Sequence, residues 1–353
     1  MKVLHGMSEV AGQGIYSVKG LRANGVYAKI AVWRRNNFGY DCDYDLKIGK
    51  CKILYPYYAI KMLFFAVYAI FKFDCFHFHF GWSLIPGGFD LKLLRLFRKK
   101  VFMEFHGSDI RWSFNRDKYD NLPLPEDSER RKRRIRKIIN NVDGIILHDE
   151  ELIKHLPESD TPVYIVPLRL DVSRFLTEYP AEKEETPIIV HAPSKRGFKG
   201  TEFVLKAIEQ LGDKVQFILV EKKTQKEALE IYKSADIIID QLLAGTYGVF
   251  AIECMALGKP VITYVDADML KTFPDELPIL SANVYNIKEK IEELVCDSSR
   301  RRRIGKDSRV YVEKYHDCIK NASVLKKIYS GQCPVKRGKK AFYFADEMKD
   351  ERK

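Results

Sequence analysis

The stretch with the clearest chemical pattern is residues 240–264, DQLLAGTYGVFAIECMALGKPVITY. An apolar strand ends at Asp240, and a loop with Gly245 and Gly248 leads into a helix that carries Glu253 in its second turn. A helix that begins in a glycine loop offers free N–H groups and the positive end of its dipole to a phosphate. A carboxylate one turn further on can accept hydrogen bonds from a ribose diol. The block therefore indicates a nucleotide site, although any strand–loop–helix unit with glycines in its loop would show a similar pattern.

The elements around this block alternate between apolar strands and helices. The candidate strands are residues 2–5, 75–80, 101–105, 144–147, 163–166, 188–191, 215–220, 237–240 and 261–265. The candidate helices are residues 14–24, 56–72, 90–99, 126–141, 200–211, 225–234, 249–257 and 307–330. Such alternation predicts βαβ units and parallel sheets, so the expected fold class is α/β with two doubly wound units.

The length of 353 residues suggests about two domains. Residues 167–187 are polar and contain three Pro, which is typical of a linker. The predicted organisation is a first domain, a linker, a second domain, a C-terminal helix and a charged tail, over residues 1–169, 170–187, 188–306, 307–330 and 331–353. Ligands of doubly wound folds bind at the carboxyl ends of the strands, and a crevice between two such domains is the expected site.

Charge and composition narrow the function classes. Lys and Arg number 60 against 48 Asp and Glu, a net charge of +12, and the 46% hydrophobic content excludes a disordered chain. Residues 130–137, RRKRRIRK, carry seven positive charges in eight positions. This run indicates either an anionic partner, such as nucleic acid or anionic lipid, or a solvated helix face. Nucleic acid is disfavoured because no aromatic residues interleave the run as a stacking platform would require.

Residues 55–73 raise the question of a membrane. Their charge-free centre, MLFFAVYAIF, has only ten residues between Lys61 and Lys72, whereas a span needs about 20. The pattern predicts a buried or surface-docked helix and leaves an interfacial helix open. The first residues lack a signal peptide's apolar stretch, and the seven Cys contain no CxxC pair, which favours a reducing compartment. The predicted location is the cytoplasm, with attachment to the inner face of the cell membrane left open.

Residues 240–264, together with HAPSKRGFKGTEF at 191–203, resemble the C-terminal domain of retaining GT-B glycosyltransferases, the family 4 (group 1) class. Three further segments resemble that family's N-terminal glycine loop, its His-Gly segment and its linker: KVLHGMSEVAGQG at 2–14, FMEFHGSDIR at 102–111 and PLRLDVSRF at 167–175. The resemblance covers roughly residues 1–330. It implies the GT-B fold, with two Rossmann-like domains facing each other across a cleft.

The resemblance also implies roles for single residues. Glu253 matches the last Glu of the family's Glu-x7-Glu motif, which holds the nucleotide ribose. Lys199 matches the Lys that neutralises the donor diphosphate, and Arg196 is a plausible partner for it. Gly12 and Gln13 match the loop that closes over the donor. The side chain expected to face the transferred sugar is that of His106.

The donor-binding loop is expected to include Thr246, Tyr247, Gly248 and Val249. Two positions depart from the family. The first Glu of the motif is Gly245 here, which removes a carboxylate that usually grips sugar hydroxyls. The family's usual Arg is replaced by Ser194, so Arg196 would have to reach the donor from a different point.

The function that the resemblance implies is transfer of a sugar, of hexosyl type, from a nucleotide-sugar donor with retention of configuration. The implied acceptor is a saccharide or lipid-linked saccharide in surface polysaccharide biosynthesis, and an anionic membrane surface is a candidate partner. No metal, cofactor or nucleic acid is expected. The reaction would depend on positioning and on stabilisation of the charge on the departing diphosphate.

Other functions remain open from the sequence. The absence of the Glu at Gly245 leaves a non-catalytic nucleotide-sugar-binding subunit as the main alternative, and a nucleotide-sugar epimerase would share the architecture. His77 and His79 alternate on one strand and could bind a metal, but the sequence shows no third ligand. A structural role in an aromatic strand is therefore the favoured interpretation for this pair.

Overall fold

The computed structural model describes residues 1–35, 39–111, 128–182, 186–333 and 342–343. These residues form two compact units. The first holds the described residues up to Arg169 and those from Cys318 onward, and the second is Leu170–Asp317. Each unit contains one sheet whose strands are all parallel.

The first unit is built on an eight-stranded sheet in the order β13-β7-β6-β5-β4-β1-β2-β3. Its strands are β1 (Lys2–Met7), β2 (Tyr27–Val32), β3 (Tyr44–Asp45), β4 (Cys75–His79), β5 (Lys100–Glu104), β6 (Gly144–Leu147), β7 (Val163–Ile165) and β13 (Phe342–Tyr343). The central strands β1, β4 and β5 are almost wholly buried, as expected of a parallel sheet that helices cover on both faces.

The helices of the first unit are α1 (Gln13–Ala23), α2 (Tyr55–Lys72), α3 (Asp90–Leu96), α4 (Ser128–Ile139) and α12 (Cys318–Ser330), with 3-10 turns at Lys52–Leu54 and Glu150–His155. Because strand crossovers are right-handed, α1 covers one face of the sheet, and α2, α3 and α4 cover the other. On the first face α12 packs closely on α1. A Cβ added at Gly20 would lie 2.0 Å from Cys318 O, so only glycine permits this approach.

The second unit has a five-stranded sheet in the order β12-β11-β10-β8-β9. Its strands are β8 (Ile188–His191), β9 (Gln216–Leu219), β10 (Ile237–Ile239), β11 (Val261–Thr263) and β12 (Leu280–Ser281). Its helices are α5 (Arg196–Lys199), α6 (Thr201–Leu211), α7 (Gln225–Ser234), α8 (Val249–Ala256), α9 (Ala267–Leu270), α10 (Ile287–Val295) and α11 (Ser298–Tyr315), with 3-10 turns at Val172–Arg174 and Gly212–Lys214.

These two parallel sheets confirm the predicted α/β fold class. The single helix predicted over 307–330 is wrong, because α11 ends at Tyr315 and α12 begins at Cys318. The break occurs where His316 O accepts a hydrogen bond from Leu170 N at 2.8 Å. The tail predicted over 331–353 lies outside the described residues, apart from 331–333 and β13.

The strand order places one switch point in each sheet. In the first unit the chain runs outward from β1 on one side and from β4 on the other. In the second unit the same reversal falls between β8 and β10. The loops that follow these four strands lie where open α/β sheets bind their ligands.

Candidate functional site

In the second unit, the ammonium group of Lys199 is held by residues that follow β10. Lys199 Nζ lies 2.5 Å from Asp240 Oδ1 and 3.1 Å from Gln241 Oε1. Lys199 O also accepts a hydrogen bond from Leu242 N at 3.1 Å. These bonds join the segment that follows β8 to the loop that follows β10, at the switch point of the sheet. The charge of Lys199 is balanced by the buried carboxylate of Asp240.

Gln241 extends this network toward the glycine loop. The side-chain Nε2 of Gln241 donates to Thr246 O. The backbone carbonyl oxygen of Gln241 accepts a hydrogen bond from Thr263 Oγ1 at 2.8 Å. The side chain of Thr246 is buried. A contact between Thr246 and a donor would therefore go through its backbone.

The loop then meets the start of α8. Gly245 has φ +76°, a left-handed conformation that favours glycine, and an added Cβ would lie in ordinary contact 3.5 Å from Asp266 Cβ. Gly248 is the N-cap of α8, with no atom within 4 Å of an added Cβ. Val249 opens the helix, and Glu253 lies one turn later, partly buried. The first N–H groups of α8 can thus be approached closely by a phosphate.

Tyr247 is turned into the second unit. Its ring is buried, and its hydroxyl lies 3.1 Å from Tyr311 Oη and 3.2 Å from His316 Nε2. Burial raises the pKa of Tyr311. The phenol group of Tyr247 therefore anchors the loop to helix α11.

Ser194 lies in the loop after β8 and Arg196 is the first residue of α5, and both are at the surface. Arg196 binds Glu221 through two hydrogen bonds of 2.8 Å, and its side chain is 47% exposed. Its Nη1 lies 3.7 Å from Glu202 Oε1. Ser194 is exposed. Whereas Lys199 reaches inward to Asp240, Arg196 is directed to surface carboxylates.

In the first unit, the loop after β1 leads into α1. Gly12 has φ +82°, and an added Cβ would lie 2.4 Å from the ring of Tyr16. Gln13 uses both ends of its amide on the backbone of Arg169: Nε2 donates to Arg169 O at 3.1 Å, and Oε1 accepts from Arg169 N at 2.8 Å. Glu9 Oε2 accepts a hydrogen bond from Ile15 N at 2.9 Å. Burial raises the pKa of Glu9 to about 7.

A buried ion pair lies beneath this loop. Arg169 Nη2 contacts Glu104 Oε1 at the end of β5, and both side chains are fully buried. Burial by itself would raise the pKa of Glu104, but the charge of Arg169 holds that pKa well below its ordinary value.

Four histidines and one tyrosine surround Glu104 in a hydrogen-bonded chain. Tyr329 Oη lies 3.3 Å from His5 Nε2, and His5 Nδ1 lies 3.1 Å from His79 Nε2. Tyr329 Oη also contacts His77 Nδ1. Burial lowers the pKa values of His5, His77 and His79, so these imidazoles are neutral at pH 7.

His106 is the end of this chain. Its Nε2 lies 3.2 Å from His79 Nδ1, and its backbone N–H donates to Asp109 Oδ1 at 3.0 Å. The side chain is 5% exposed. Burial lowers the pKa of His106 to about 3. His106 is therefore a neutral imidazole whose ring is oriented by His79, while Asp109 holds its backbone.

The same cluster supplies third metal ligands that the sequence alone did not reveal. The ligand atoms of His5, His77 and His79 lie within 4.8 Å of one another, and so do those of His79, Glu104 and His106. Three His and a carboxylate form a ligand set that suits Zn²⁺. His5, His79 and His106 are, however, hydrogen-bonded to one another. His77 contacts Tyr329 through Nδ1, and its Nε2 lies 3.0 Å from Glu104 Oε2. The charge of Glu104 is balanced by Arg169.

A cavity of about 140 Å³ lies in the first unit beyond the carboxyl ends of β4 and β5. Two arginines of α4 line it: Arg134 stacks 4.4 Å from the centre of the Trp82 ring, and Arg131 Nη1 donates to Ser108 O at 3.2 Å. Asp109 also lines the cavity, and burial raises its pKa to about 6. This arrangement can take a small anionic group beside the segment that carries His106.

Sequence reasoning missed several of these residues. Glu104 and His5 were visible as polar residues inside apolar strands, and Arg169 as a cation next to a linker. His191, at the end of β8, bonds Ile239 O and Thr201 Oγ1, each at 2.9 Å. No local pattern links Tyr329 to His5, which lies 324 positions earlier.

Comparison with known proteins finds a family model that is similar to part of the chain. Residues 181–311 match the family model described as "Glycosyl transferases group 1". A search of curated proteins finds no match.

Several solved structures share the fold over nearly the whole chain. A sucrose-phosphate synthase from Thermosynechococcus elongatus is 18% identical with a TM-score of 0.67, and the match covers 94% of this chain and 99% of that one. A glycosyltransferase from Rickettsia africae is 14% identical with a TM-score of 0.64, covering 94% and 98%. HepE of Anabaena, solved with UDP-glucose, is 11% identical with a TM-score of 0.62, covering 94% and 100%. Residues 181–311 are therefore similar to the group 1 glycosyl transferase model, within a chain that has the two Rossmann-like units of the GT-B fold.

Proposed function

We propose that the protein is a glycosyltransferase that moves a sugar from a nucleotide-sugar donor to a saccharide acceptor. The observation that carries this proposal is the joined pair of loops at the β8/β10 switch point, with Lys199, Gly248 and the start of α8. These groups match what a nucleoside diphosphate needs: a cation, free backbone N–H groups and close access. UDP-glucose, with which HepE of Anabaena was solved, contains a nucleoside diphosphate.

We further propose that transfer retains the anomeric configuration and needs no metal. The acceptor oxygen attacks the anomeric carbon, and the bond from that carbon to the diphosphate oxygen breaks. The nucleoside diphosphate leaves with the electron pair, and its oxygen takes the acceptor proton. Lys199 and the α8 N-terminus stabilise the negative charge that develops, and Glu253 holds the ribose.

The acceptor proposed here is a lipid-linked saccharide of surface polysaccharide synthesis, which carries a phosphate. The support is the cavity lined by Arg131 and Arg134, since two guanidinium groups suit a phosphate. Arg131→Ala and Arg134→Ala should raise KM for such an acceptor and leave donor binding unchanged. None of the seven cysteines, all of which lie in the part of the chain that the structure describes, forms a disulfide, which fits the reducing cytoplasm that we propose as the location.

The donor class is tested by thermal stabilisation with a panel of nucleoside diphosphates and nucleotide sugars, each with and without Mg²⁺. A ligand at 100 times its Kd adds about 2.7 kcal/mol, which gives a clear shift. We expect a shift with one base that is lost in Glu253→Ala. The absence of a shift with every nucleotide would contradict the proposal.

A non-catalytic nucleotide-sugar-binding subunit is the second candidate. It is favoured by one feature, Gly245, which leaves the glycine loop without the carboxylate that the family resemblance predicts. Such a subunit would show the thermal shift but no turnover with any acceptor. An enzyme would release the nucleoside diphosphate when donor and acceptor are both present.

A further inference from the structure

Helix α2 has two apolar faces, and only one of them is covered within the first unit. Phe65, Ala66, Ala69 and Ile70 are buried in the core. The other face is exposed along the whole helix. Its exposed large apolar residues are Tyr55, Tyr57, Ile60, Leu63, Phe64, Val67, Tyr68 and Phe71. Phe64 and Phe71 are 73% and 75% exposed.

The apolar surface continues onto α3. The rings of Phe71 and Phe97 have their centres 6.1 Å apart, which links the two elements directly. Beyond Phe97, Leu93 and Leu96 are exposed, Leu96 to 77%. Patches of this extent are rare on monomeric proteins and mark interaction sites. The exposed apolar residues of α2 and α3 are called the apolar face below.

Helix α4 adds positive charge beside the apolar face. Lys137 Nζ lies 4.2 Å from the centre of the Phe89 ring, just before α3, and Arg95 of α3 donates to Asn140 O at 3.4 Å. Together α2, α3 and α4 contain eleven Lys and Arg but only two acidic residues, Asp90 and Glu129. Asp90 is buried. The exposed charge of this layer is therefore almost entirely positive.

We infer that this layer docks in the plane of an anionic lipid membrane, with the apolar face in the acyl boundary and α4 against the headgroups. Apolar burial and attraction to anionic lipid act together in such interfacial helices. Lys61 and Lys72 of α2 have stems long enough to reach the headgroups from within the apolar face. A protein partner would need an apolar surface with a matching acidic rim. An anionic bilayer offers both features, because its acyl region can cover the apolar face and its headgroups are negatively charged.

By length and composition, Lys52–Lys72 could also cross a membrane. A crossing would remove Phe65, Ala69 and Ile70 from the core of the first unit, because these residues lie on the same helix. Loss of large core side chains such as Phe65 and Ile70 strongly destabilises a fold. Docking in the interface instead leaves these contacts in place and covers only the exposed face.

This inference goes beyond the proposed function, and its test needs neither donor nor acceptor. The full chain is mixed with vesicles of phosphatidylcholine containing 30% phosphatidylglycerol or with pure phosphatidylcholine vesicles, and bound protein is separated by flotation. We expect binding to the anionic vesicles that falls at least tenfold in the variant Phe64→Ser/Phe71→Ser. The matched control, Leu176→Ser/Tyr285→Ser, removes two equally exposed apolar side chains from the second unit and should bind as the wild type does.

A second pair of variants tests the charge. Arg130→Glu/Arg133→Glu reverses two exposed charges on α4 and should lower anionic-vesicle binding at least tenfold, as should raising the salt concentration. Arg303→Glu/Lys306→Glu makes the same change on exposed positions of α11 and should have little effect. Wild-type protein that fails to float with anionic vesicles would overturn the inference. So would equal binding of all four variants, or a dimer in sedimentation that Phe64→Ser/Phe71→Ser dissociates and that prevents vesicle binding.

Discussion

Lys199 Nζ and Asp240 Oδ1 are 2.5 Å apart, and the carboxylate is fully buried. The cation that should meet a donor diphosphate is thus already paired. The pair fixes the position of Lys199, because Gln241 Oε1 holds the same ammonium group at 3.1 Å. It also lowers the net positive charge at the proposed diphosphate site, so the proposed function gives the N–H groups of α8 a larger share of the binding.

The first prediction concerns this pair. Lys199→Ala should lower the rate of sugar transfer at least ~100-fold, the scale of losing one electrostatic contact to a charge that develops in the transition state. It should also destabilise the second unit, because Asp240 is left buried and unpaired. Steady-state transfer assays and urea unfolding measure the two effects.

The double variant Lys199→Ala/Asp240→Asn separates the two effects. Removing both charges should recover much of the free energy of unfolding, while transfer stays low. If transfer recovered together with stability, Lys199 would be a structural residue only.

The second prediction concerns Gly245. Gly245→Ala and Gly245→Glu both carry the cost of a left-handed φ for a residue with a Cβ, about 1–2 kcal/mol. An added Cβ would make only ordinary van der Waals contacts, the nearest 3.5 Å from Asp266 Cβ, so both variants should fold. Only the Glu variant adds a carboxylate to the loop, so a change in sugar preference should appear in Gly245→Glu and not in Gly245→Ala. Competition assays with a panel of nucleotide sugars measure it, and identical preferences in both variants would contradict a role of this position in sugar choice.

Much of the fold followed from local pattern. The strands at 144–147 and 188–191 match the prediction residue for residue. Each is a short apolar run with clear limits: Asp143 and His148 flank the first, and the second begins after Pro187 and ends at His191. Strand β2, Tyr27–Val32, was missed because Lys29 interrupts its apolar run. Lys29 is accommodated through an ion pair of 2.8 Å with Asp43, a contact that no local pattern reveals.

The candidate site also contains some residues that the sequence indicated and others that only the structure reveals. Glu253 was singled out from the pattern of one strand–loop–helix block, and Lys199 from the family resemblance. Asp240, the partner of Lys199, lies 41 positions away and is in reach only because β8 and β10 are neighbours in the sheet. Arg169 likewise meets Glu104 across 65 positions. Partners of this kind depend on strand order, which single-sequence patterns do not define.

The third prediction concerns the buried pair of Glu104 and Arg169. Arg169→Met leaves a buried carboxylate without its cation and should destabilise the protein by about 3–5 kcal/mol. Glu104→Gln/Arg169→Met removes both charges and should recover a large part of that loss. Urea unfolding at pH 7 measures both. Equal destabilisation by the single and double variants would show that packing, and not the ion pair, is what Arg169 supplies.

The fourth prediction concerns metal. The ring nitrogens of His5, His79 and His106 are joined by hydrogen bonds of 3.1 and 3.2 Å, and His77 Nε2 lies 3.0 Å from Glu104 Oε2. Each of these four histidines thus has a polar partner inside the cluster without an ion. Removing metal with a chelator should leave transfer and the melting temperature unchanged, and elemental analysis of the purified protein should find less than one zinc per chain. Loss of activity on chelation, restored by Zn²⁺ but not in His79→Ala, would instead assign a metal site to this cluster.

The fifth prediction concerns Glu9, which caps the start of α1 through Ile15 N and whose pKa is raised by burial to about 7. Because its ordinary value is 4.5, the folded protein holds this proton over a range where the unfolded chain releases it. The free energy of unfolding should therefore fall as pH rises from about 4.5 to about 7, and level off above that. Glu9→Gln cannot titrate, so the difference in unfolding free energy between wild type and Glu9→Gln isolates this group. A difference that does not change between pH 5 and pH 8 would show that Glu9 ionises without cost in the folded protein.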